Sequence, residues 1–332
     1  MIRAYAPGRV NVIGEHTDHT GGLVLPAAID LGTTVTVERG GDVVELVSTA
    51  DPTPARVPIG VTDPADIQPG WARYVAGVVA ELRPELGARG TVTTDLPLGA
   101  GLSSSAALEV AVALALGFDG EPIELARLCQ RAEQRASGVP CGIMDQLASA
   151  AGVEGSLLLI DCGSLERTPV AFDDELMALV IIDSGQARAL ASSEYAARAR
   201  ECAAAETHIG PLRSATLDDV ATLAEPLRRR ARHVVSENRR VLDFVDALRA
   251  GDPRAAGELM TAGHASLRDD FEVSTPVVDA LVERLLATPG VHGARLTGAG
   301  FGGTVVALTE PDARVDGGRR VRPCAGATVD RT

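Results

Sequence analysis

The chain of 332 residues contains no lysine, because all 31 of its basic residues are arginine. A nucleotide-binding loop of the Walker type needs a lysine on the phosphates, so this absence excludes that way of holding a nucleotide. Any phosphate site must therefore depend on backbone N–H groups, arginine side chains and a metal ion.

Basic residues are also outnumbered by acidic ones, 31 against 45, and the net charge is −14. Nucleic acids and anionic membranes both require a basic surface, so neither is expected as a partner. No apolar run reaches 18 residues and no basic-then-apolar leader opens the chain. These features predict a soluble protein of the cytoplasm.

The five cysteines are odd in number, widely spread and without a C-x-x-C pair. This pattern indicates reduced thiols and argues against a disulfide framework or a zinc site. The chain length leaves room for about two domains. A polar stretch over 162–175 separates two apolar segments, and it predicts domains at 1–168 and 169–332.

A loop rich in small residues lies between a short β-branched segment and a run that is apolar almost all round. That run predicts a buried helix, and a helix start offers unpaired N–H groups and partial positive charge to a phosphate. The alternative is an ordinary glycine turn with a serine cap. The small residues of the loop and helix start are Gly99, Gly101, Ser103, Ser104, Ser105 and Ala106.

Residues 2–28 place charged and imidazole side chains in one predicted strand–loop unit. Arg9, Glu15, His16 and Asp18 are crowded among apolar residues, so they must pair with each other or with a ligand. Two carboxylates beside a histidine suit a metal ion, and they equally suit the hydroxyls of a sugar. A solvated turn with an internal salt bridge is the remaining alternative.

Three further residues are candidates on position alone. Glu133 lies at the edge of the apolar stripe of a helix predicted over 122–137, where a divalent cation or an arginine would pair with it. Asp145 begins a helix in apolar company, as an N-cap or a catalytic carboxylate. Trp71 begins another helix, as a core residue or as a platform for adenine.

The remaining patterns predict secondary structure. Residues 31–39 and 43–48 alternate as two strands of a hairpin, and residues 51–70 form a polar surface connection. Residues 294–308 read as strand, glycine-rich loop and strand, which alone is a weak signal.

Three separated stretches together resemble the galactokinase branch of the GHMP small-molecule kinases. They are residues 7–18, 97–106 and 296–303, of which the first is specific to galactokinases and the others are shared across the superfamily. Residues 141–146 and 190–195 also match the galactokinase pattern. The resemblance spans nearly the whole chain.

The resemblance implies an α+β fold with two domains and an active site in the cleft. The N-terminal domain would resemble domain 2 of ribosomal protein S5, and the C-terminal domain would be ferredoxin-like with added helices. It implies a monomer that phosphorylates the anomeric hydroxyl of galactose with ATP, giving α-D-galactose 1-phosphate and ADP. Rival functions are a kinase for N-acetylgalactosamine or arabinose and a catalytically silent galactose sensor.

The resemblance also implies residue roles. Asp145 would face the anomeric hydroxyl as base or orienting carboxylate, with Arg9 beside it next to the transferred phosphate. Ser105 (or Ser104) and Glu133 would hold Mg²⁺, and Trp71 would border the adenine. The sugar pocket would be lined by Glu15, His16, Asp18, Gly142 and Tyr195.

Two features depart from the family pattern. His19 stands where the family commonly has tyrosine, which would alter the rim of the pocket. Residues 311–322 are too few and too rich in glycine for the last helix expected in the C-terminal domain.

Overall fold

The computed structural model describes residues 1–97, 99–186 and 191–331 of the chain. Leu98 and Leu190, which belong to two of the stretches quoted above, and Thr332 lie outside the described residues. The described strands are β1 (Ile2–Asn11), β2 (Leu23–Val24), β3 (Pro26–Arg39), β4 (Val43–Ser48), β5 (Ala55–Pro58), β6 (Ala88–Thr94), β7 (Ser156–Asp161), β8 (Arg167–Ala171), β9 (Ala178–Asp183), β10 (Val291–Leu296), β11 (Thr304–Thr309), β12 (Arg319–Val321) and β13 (Thr328–Arg331). The described α-helices are α1 (Ala72–Leu82), α2 (Ser104–Ala115), α3 (Pro122–Ser137), α4 (Met144–Ala151), α5 (Ala191–Ile209), α6 (Leu217–Ala221), α7 (Leu227–Arg249), α8 (Pro253–Asp269) and α9 (Pro276–Leu286).

The first layer is a six-stranded sheet in the order β13-β1-β3-β6-β4-β5. Its apolar side chains and those of α1, α2 and α3 form one buried core. The predicted hairpin is wrong, although both of its strands exist. β6 lies between them, antiparallel to β3 and parallel to β4. Alternating hydrophobicity identifies a strand but does not specify its neighbour.

The predicted surface connection over 51–70 is also wrong in part, because it contains β5. Ala55 and Val57 are buried and alternate with exposed residues, and β5 pairs with β4 as the edge of the sheet. A short strand with two buried side chains gives a weak pattern among prolines and polar residues.

The second layer is a four-stranded antiparallel sheet in the order β10-β11-β9-β12. One of its faces shares a core with α5, α7 and α9, and the other faces a core with α7, α8 and the start of the chain. Residues 311–318 contain no helix, as expected. They are followed by β12, which pairs with β9. The mixture of helices and largely antiparallel sheets is the α+β class.

The domain limits stay a prediction. One strand spans the predicted boundary, and another pairs with a strand on the other side of it. The boundary at 168 and 169 falls inside β8, which pairs with β7 in a separate sheet. β13, from the end of the chain, returns to pair with β1 in the first sheet. The last strand of the predicted second domain therefore stabilises the sheet of the first.

Local signals position the helices around the site. Pro122 begins α3, where its missing N–H is not needed, and Gly138 ends it in the left-handed conformation. Ser103 precedes α2 with φ at 57°, a conformation uncommon for a residue with a side chain.

Among the described helices, none is long and apolar enough to cross a membrane.

Candidate active site

One cavity of about 660 Å³ is bounded by the start of α2, the loop after β1 and the ends of β9 and β10. Trp71 and Ala106 do not line it, whereas the other predicted site residues do. Those residues are Arg9, Glu15, His16, Asp18, Gly99, Gly101, Ser103, Ser104, Ser105, Glu133, Gly142, Asp145 and Tyr195.

Asp145, in the first turn of α4, is held by two neighbours. Arg9 of β1 donates from Nε to Oδ1 at 2.8 Å and from Nη2 to Oδ2 at 3.0 Å. Ser103 donates to Oδ2 at 2.5 Å, and Arg9 also donates to the Gly101 carbonyl at 2.7 Å. Charge-assisted bonds of this kind fix the carboxylate in one orientation at the start of α2.

Asp18 lies beside this pair, in the short 3₁₀ turn after β1. Burial and the nearby Asp145 carboxylate raise the pKa of Asp18 from its ordinary value of 3.8 to about 7. Its side chain lies so close to Gly142 that a Cβ there would collide with the carboxylate. Asp18 therefore has a carboxyl that switches charge near neutral pH and can accept a bond from a hydroxyl group.

Glu15 is almost fully buried and already contacts several protein groups. Its oxygens accept bonds from the Gly298 N–H at 2.7 Å and from Asn11 Nδ2 at 2.6 Å. Arg295 lies 3.1 Å away, yet burial still raises the pKa of Glu15. Glu15 thus connects the loop after β1 to the glycine-rich loop after β10.

His16 and Tyr195 form an aromatic wall of the cavity. The His16 ring lies 5.3 Å from Tyr195 and 4.6 Å from Phe271, measured between ring centres. Burial, followed by the nearby His19 and His233, lowers the pKa of His16 well below its ordinary value. Burial and Asp18 raise the pKa of Tyr195. Both side chains are therefore neutral near pH 7.

Ser105 and Glu133 meet at the other end of the cavity. The Ser105 hydroxyl donates to Glu133 Oε1 at 2.9 Å, and Gln146 donates to Glu133 Oε2 at 2.5 Å. Burial and Asp145 raise the pKa of Glu133 from 4.5 to about 7. The described residues contain no group of three or more histidine, cysteine or acidic side chains arranged around a metal. A cation here would have two protein oxygens and take its other ligands from phosphate and water.

Trp71, like Ala106, is a predicted site residue that does not line the cavity. Its indole N–H donates to the Thr53 carbonyl at 3.0 Å, and the ring packs against the core of the first layer. Tyr74, one turn further along α1, does line the cavity. A contact between Trp71 and adenine stays a prediction.

Residues that sequence reasoning missed also contribute. Gln146 stands next to Asp145 in a quoted motif but was given no role, and Arg295 lies between strand residues without a recognisable signal. Glu109 is a carboxylate in the middle of α2 with no exposed surface. An acidic residue within an apolar run was the sequence signal that could have identified it.

Comparisons with known proteins place this chain in a family. Family models match at residues 2–39 (galactokinase galactose-binding signature), 73–153 (GHMP kinases N terminal domain) and 244–322 (GHMP kinases C terminal). The chain is similar to the galactokinase of Homo sapiens, with 44% identity over 98% of this chain and 88% of that protein. It is also similar to the galactokinase of Mycobacterium tuberculosis, with 42% identity over 96% and 92% of the two chains.

Solved structures give the same result. The galactokinase of Lactococcus lactis complexed with galactose superposes with a TM-score of 0.90 and 31% identity, covering 98% of this chain and 95% of that one. The mevalonate kinase of Methanococcus jannaschii, at 20% identity over 97% and 98% of the chains, shares the fold with a TM-score of 0.71.

The two layers, the serine-rich helix start and the glycine-rich loop after β10 define the class as a GHMP kinase with two domains, as the resemblance implied. Within that class, the match to the galactose-binding signature and the identity with curated relatives are decisive. The chain belongs to the galactokinase family.

Proposed function

We propose that the protein transfers the terminal phosphoryl group of ATP to the anomeric hydroxyl of galactose, giving α-D-galactose 1-phosphate and ADP. The observation that carries the proposal is the juxtaposition of Asp145, Asp18 and the start of α2 in one cavity. A sugar bound on the acidic side would present a hydroxyl to phosphates that lie on the helix start.

Asp145 accepts the proton of the anomeric hydroxyl or orients that hydroxyl. The sugar oxygen forms the new bond to phosphorus while the bond from phosphorus to the bridging oxygen of ADP breaks. Arg9 and the N–H groups at the start of α2 stabilise the negative charge that spreads over the transferred group. Arg9 also keeps Asp145 oriented, since it donates to both carboxylate oxygens.

Ser105 and Glu133 fit Mg²⁺, because both are hard oxygen donors and Glu133 is buried beside other carboxylates. When bound, the ion supplies positive charge to the phosphates. Glu15, His16, Asp18, Gly142 and Tyr195 line the sugar pocket in this proposal. The neutral aromatic wall would cover the apolar face of the ring.

The other sugars and the silent sensor remain the alternatives. The intact bonds around Asp145 and the Ser105–Glu133 contact favour a working phosphotransferase over a sensor. Neutral His19, beside Tyr195, distinguishes this pocket from the usual family pattern. In this proposal a change at that position acts on the sugar pocket through the Tyr195 ring, which lines the cavity.

A panel assay of ADP release tests the function with galactose, N-acetylgalactosamine, arabinose and glucose, using Asp145→Asn as the blank. We expect the largest kcat/KM with galactose. Turnover of another sugar without turnover of galactose would overturn the substrate. Tight galactose binding without any ADP release would favour the sensor.

We also propose that the protein acts as a monomer in the cytoplasm, with no membrane or nucleic acid partner. The five cysteines are unpaired, as expected where thiols stay reduced. The excess of acidic residues disfavours binding to phosphate backbones. Light scattering after size exclusion measures the mass directly.

A further inference from the structure

A layer of polar side chains lies between α2, α3 and α4, which are otherwise apolar where they meet. We call Ser105, Glu109, Glu133 and Gln146 the polar layer. Ser105 and Glu109 are four residues apart, so they share one face of α2, with Glu109 one turn deeper. Glu133 comes from α3 and Gln146 from α4.

Gln146 connects the two carboxyl groups of the layer. Its Nε2 donates to Glu133 Oε2 at 2.5 Å and lies 3.3 Å from Glu109 Oε2. An amide nitrogen carries two hydrogens, so one can point at each carboxyl group. Both partners are acceptors, which explains why the nitrogen of the amide faces them. The side chains of Gln146 and Glu109 have no exposed surface.

The deep end of the layer carries unsatisfied polar atoms. Within the described part of the chain, Glu109 Oε1 and Gln146 Oε1 have no hydrogen-bond partner. Each such buried atom destabilises the fold, so leucine at position 109 would suit the helix interface better. Burial and Glu133 raise the pKa of Glu109 well above its ordinary value, so this carboxyl is neutral. An unsatisfied buried polar group beside a site calls for an explanation, and a role in that site supplies one.

We propose that Gln146, anchored by Glu109, is a positioning residue for Glu133. The amide fixes Glu133 Oε2, and this orients Oε1 toward Ser105 and the phosphate end of the cavity. The inference rests on the proposed function, because the orientation of Glu133 matters only if the cation of the nucleotide binds there. Partners behind a metal ligand typically change metal affinity by about 10- to 100-fold when they are removed.

The test measures binding of Mn²⁺ by electron paramagnetic resonance, with ADP present and without turnover. Gln146→Met removes the amide and keeps a similar volume, and Gln146→Asn keeps the amide but shortens it. Glu109→Leu removes the anchor, whereas Glu109→Gln keeps a neutral group that accepts a hydrogen bond. Ser149→Ala is the matched control, because it removes a buried hydrogen bond of α4 that goes to the Pro7 carbonyl and not to the polar layer.

We expect Gln146→Met to weaken Mn²⁺ binding by about 10- to 100-fold, with Gln146→Asn and Glu109→Leu nearer the lower limit. Glu109→Gln should retain the affinity, and Ser149→Ala should lower the unfolding temperature without changing the affinity. Equal Mn²⁺ affinity in Gln146→Met, Gln146→Asn and the unchanged protein would overturn the inference. So would a loss in Glu109→Gln as large as that in Glu109→Leu.

Glu133→Gln separates this inference from the proposed function. If it weakens Mn²⁺ binding while the Gln146 variants do not, the cation site stands and the positioning role falls. If Glu133→Gln binds Mn²⁺ as the unchanged protein does, the cation site falls, and the positioning role with it. Circular dichroism of each variant shows whether it is folded before the titration.

Discussion

One group of half-buried carboxylates lines the cavity, a second and fully buried group reaches it only through Glu15, and their surroundings are opposite. The first, which we call the acidic cluster, contains Asp18, Glu133 and Asp145, and it contacts the Arg9 guanidinium. Burial and mutual repulsion raise the pKa values of Asp18 and Glu133 to about 7. The cluster has more negative groups than positive ones.

The second group, which we call the paired cluster, contains Glu15, Glu237, Arg240 and Arg295. Arg295 donates to Glu237 at 2.8 Å, and Arg240 donates to it at 2.6 Å. Burial alone would raise the pKa of Glu237, but the two guanidiniums hold it well below its ordinary range. The paired cluster thus contains two acidic and two basic side chains, in contrast to the single guanidinium of the acidic cluster.

The acidic cluster is suited to binding a ligand, and the paired cluster is suited to stabilising the fold. The charges of the paired cluster contact mainly one another, and they join α7 to β10 and to the loop after β1, with Glu15 as the member that also lines the cavity. The acidic cluster lacks positive charge, and the divalent cation that accompanies a nucleotide would supply some of it. Substitutions should therefore reduce activity in the acidic cluster and stability in the paired cluster.

The largest effect is expected from Asp145→Asn, which removes the charge but keeps the size and an acceptor. We expect kcat to fall by about 10²–10⁴-fold, because a positioned acid–base group contributes that much. Calorimetry should show that galactose and ATP still bind, and the unfolding temperature should change little. Turnover close to that of the unchanged protein would remove Asp145 from the chemistry and weaken the contrast between the clusters.

Arg295→Met should destabilise the fold by about 3–5 kcal/mol, because it leaves Glu15 and Glu237 buried without their shared cation. The free energy of unfolding in urea measures the effect. Arg254→Met is the matched control, since Arg254 pairs with Glu258 on the exposed side of α8. An exposed pair contributes about 0–1 kcal/mol. Equal losses in the two variants would show that the paired cluster does not hold the fold.

The smallest effect concerns Asp18→Asn and its dependence on pH. Between pH 4 and pH 7 the folded protein keeps the Asp18 proton that the unfolded chain has lost, so the stability of the unchanged protein falls as pH rises. The asparagine side chain does not titrate, so the variant lacks this loss of stability with rising pH. We expect it to be the more stable protein by about 1–3 kcal/mol at pH 7.5, with the difference vanishing near pH 3.

Urea unfolding at several pH values measures this difference, with exposed Asp119→Asn as the control. A difference that does not grow between pH 4 and pH 7 would contradict the contrast between the clusters. The expected loss of galactose affinity in Asp18→Asn would link the instability of the carboxyl to its use.

Much of the site could be predicted from the sequence, because short motifs carry the residues that must be near a ligand. Arg9 and Asp145 are 136 positions apart, and only the resemblance brought them together before the structure did. The limits of α3 followed from its proline and glycine. Most of the residues expected at the cavity line it, although their roles in catalysis stay proposals.

The errors have physical causes. The strands over 31–39 and 43–48 were recognised, but a strand pattern does not show that β6 lies between them. Glu109 was passed over because the helix around it is apolar, and hydrophobic periodicity averages over single residues. Arg295 was missed because its partners lie on the loop after β1 and on α7, at separations that no local pattern records.

Two neighbouring residues on α4 limit where the site can be changed without disturbing it. Asp145 and Gln146 are consecutive, and side chains one residue apart on a helix point about 100° from each other. One contacts Arg9 and Ser103, and the other contacts Glu133. A rotation of α4 would therefore disturb the contacts of Asp145 and the contacts of Gln146 at the same time. In the proposed site, a substitution in a flanking turn, such as the one that carries His19, would disturb fewer of these contacts than a substitution on α4.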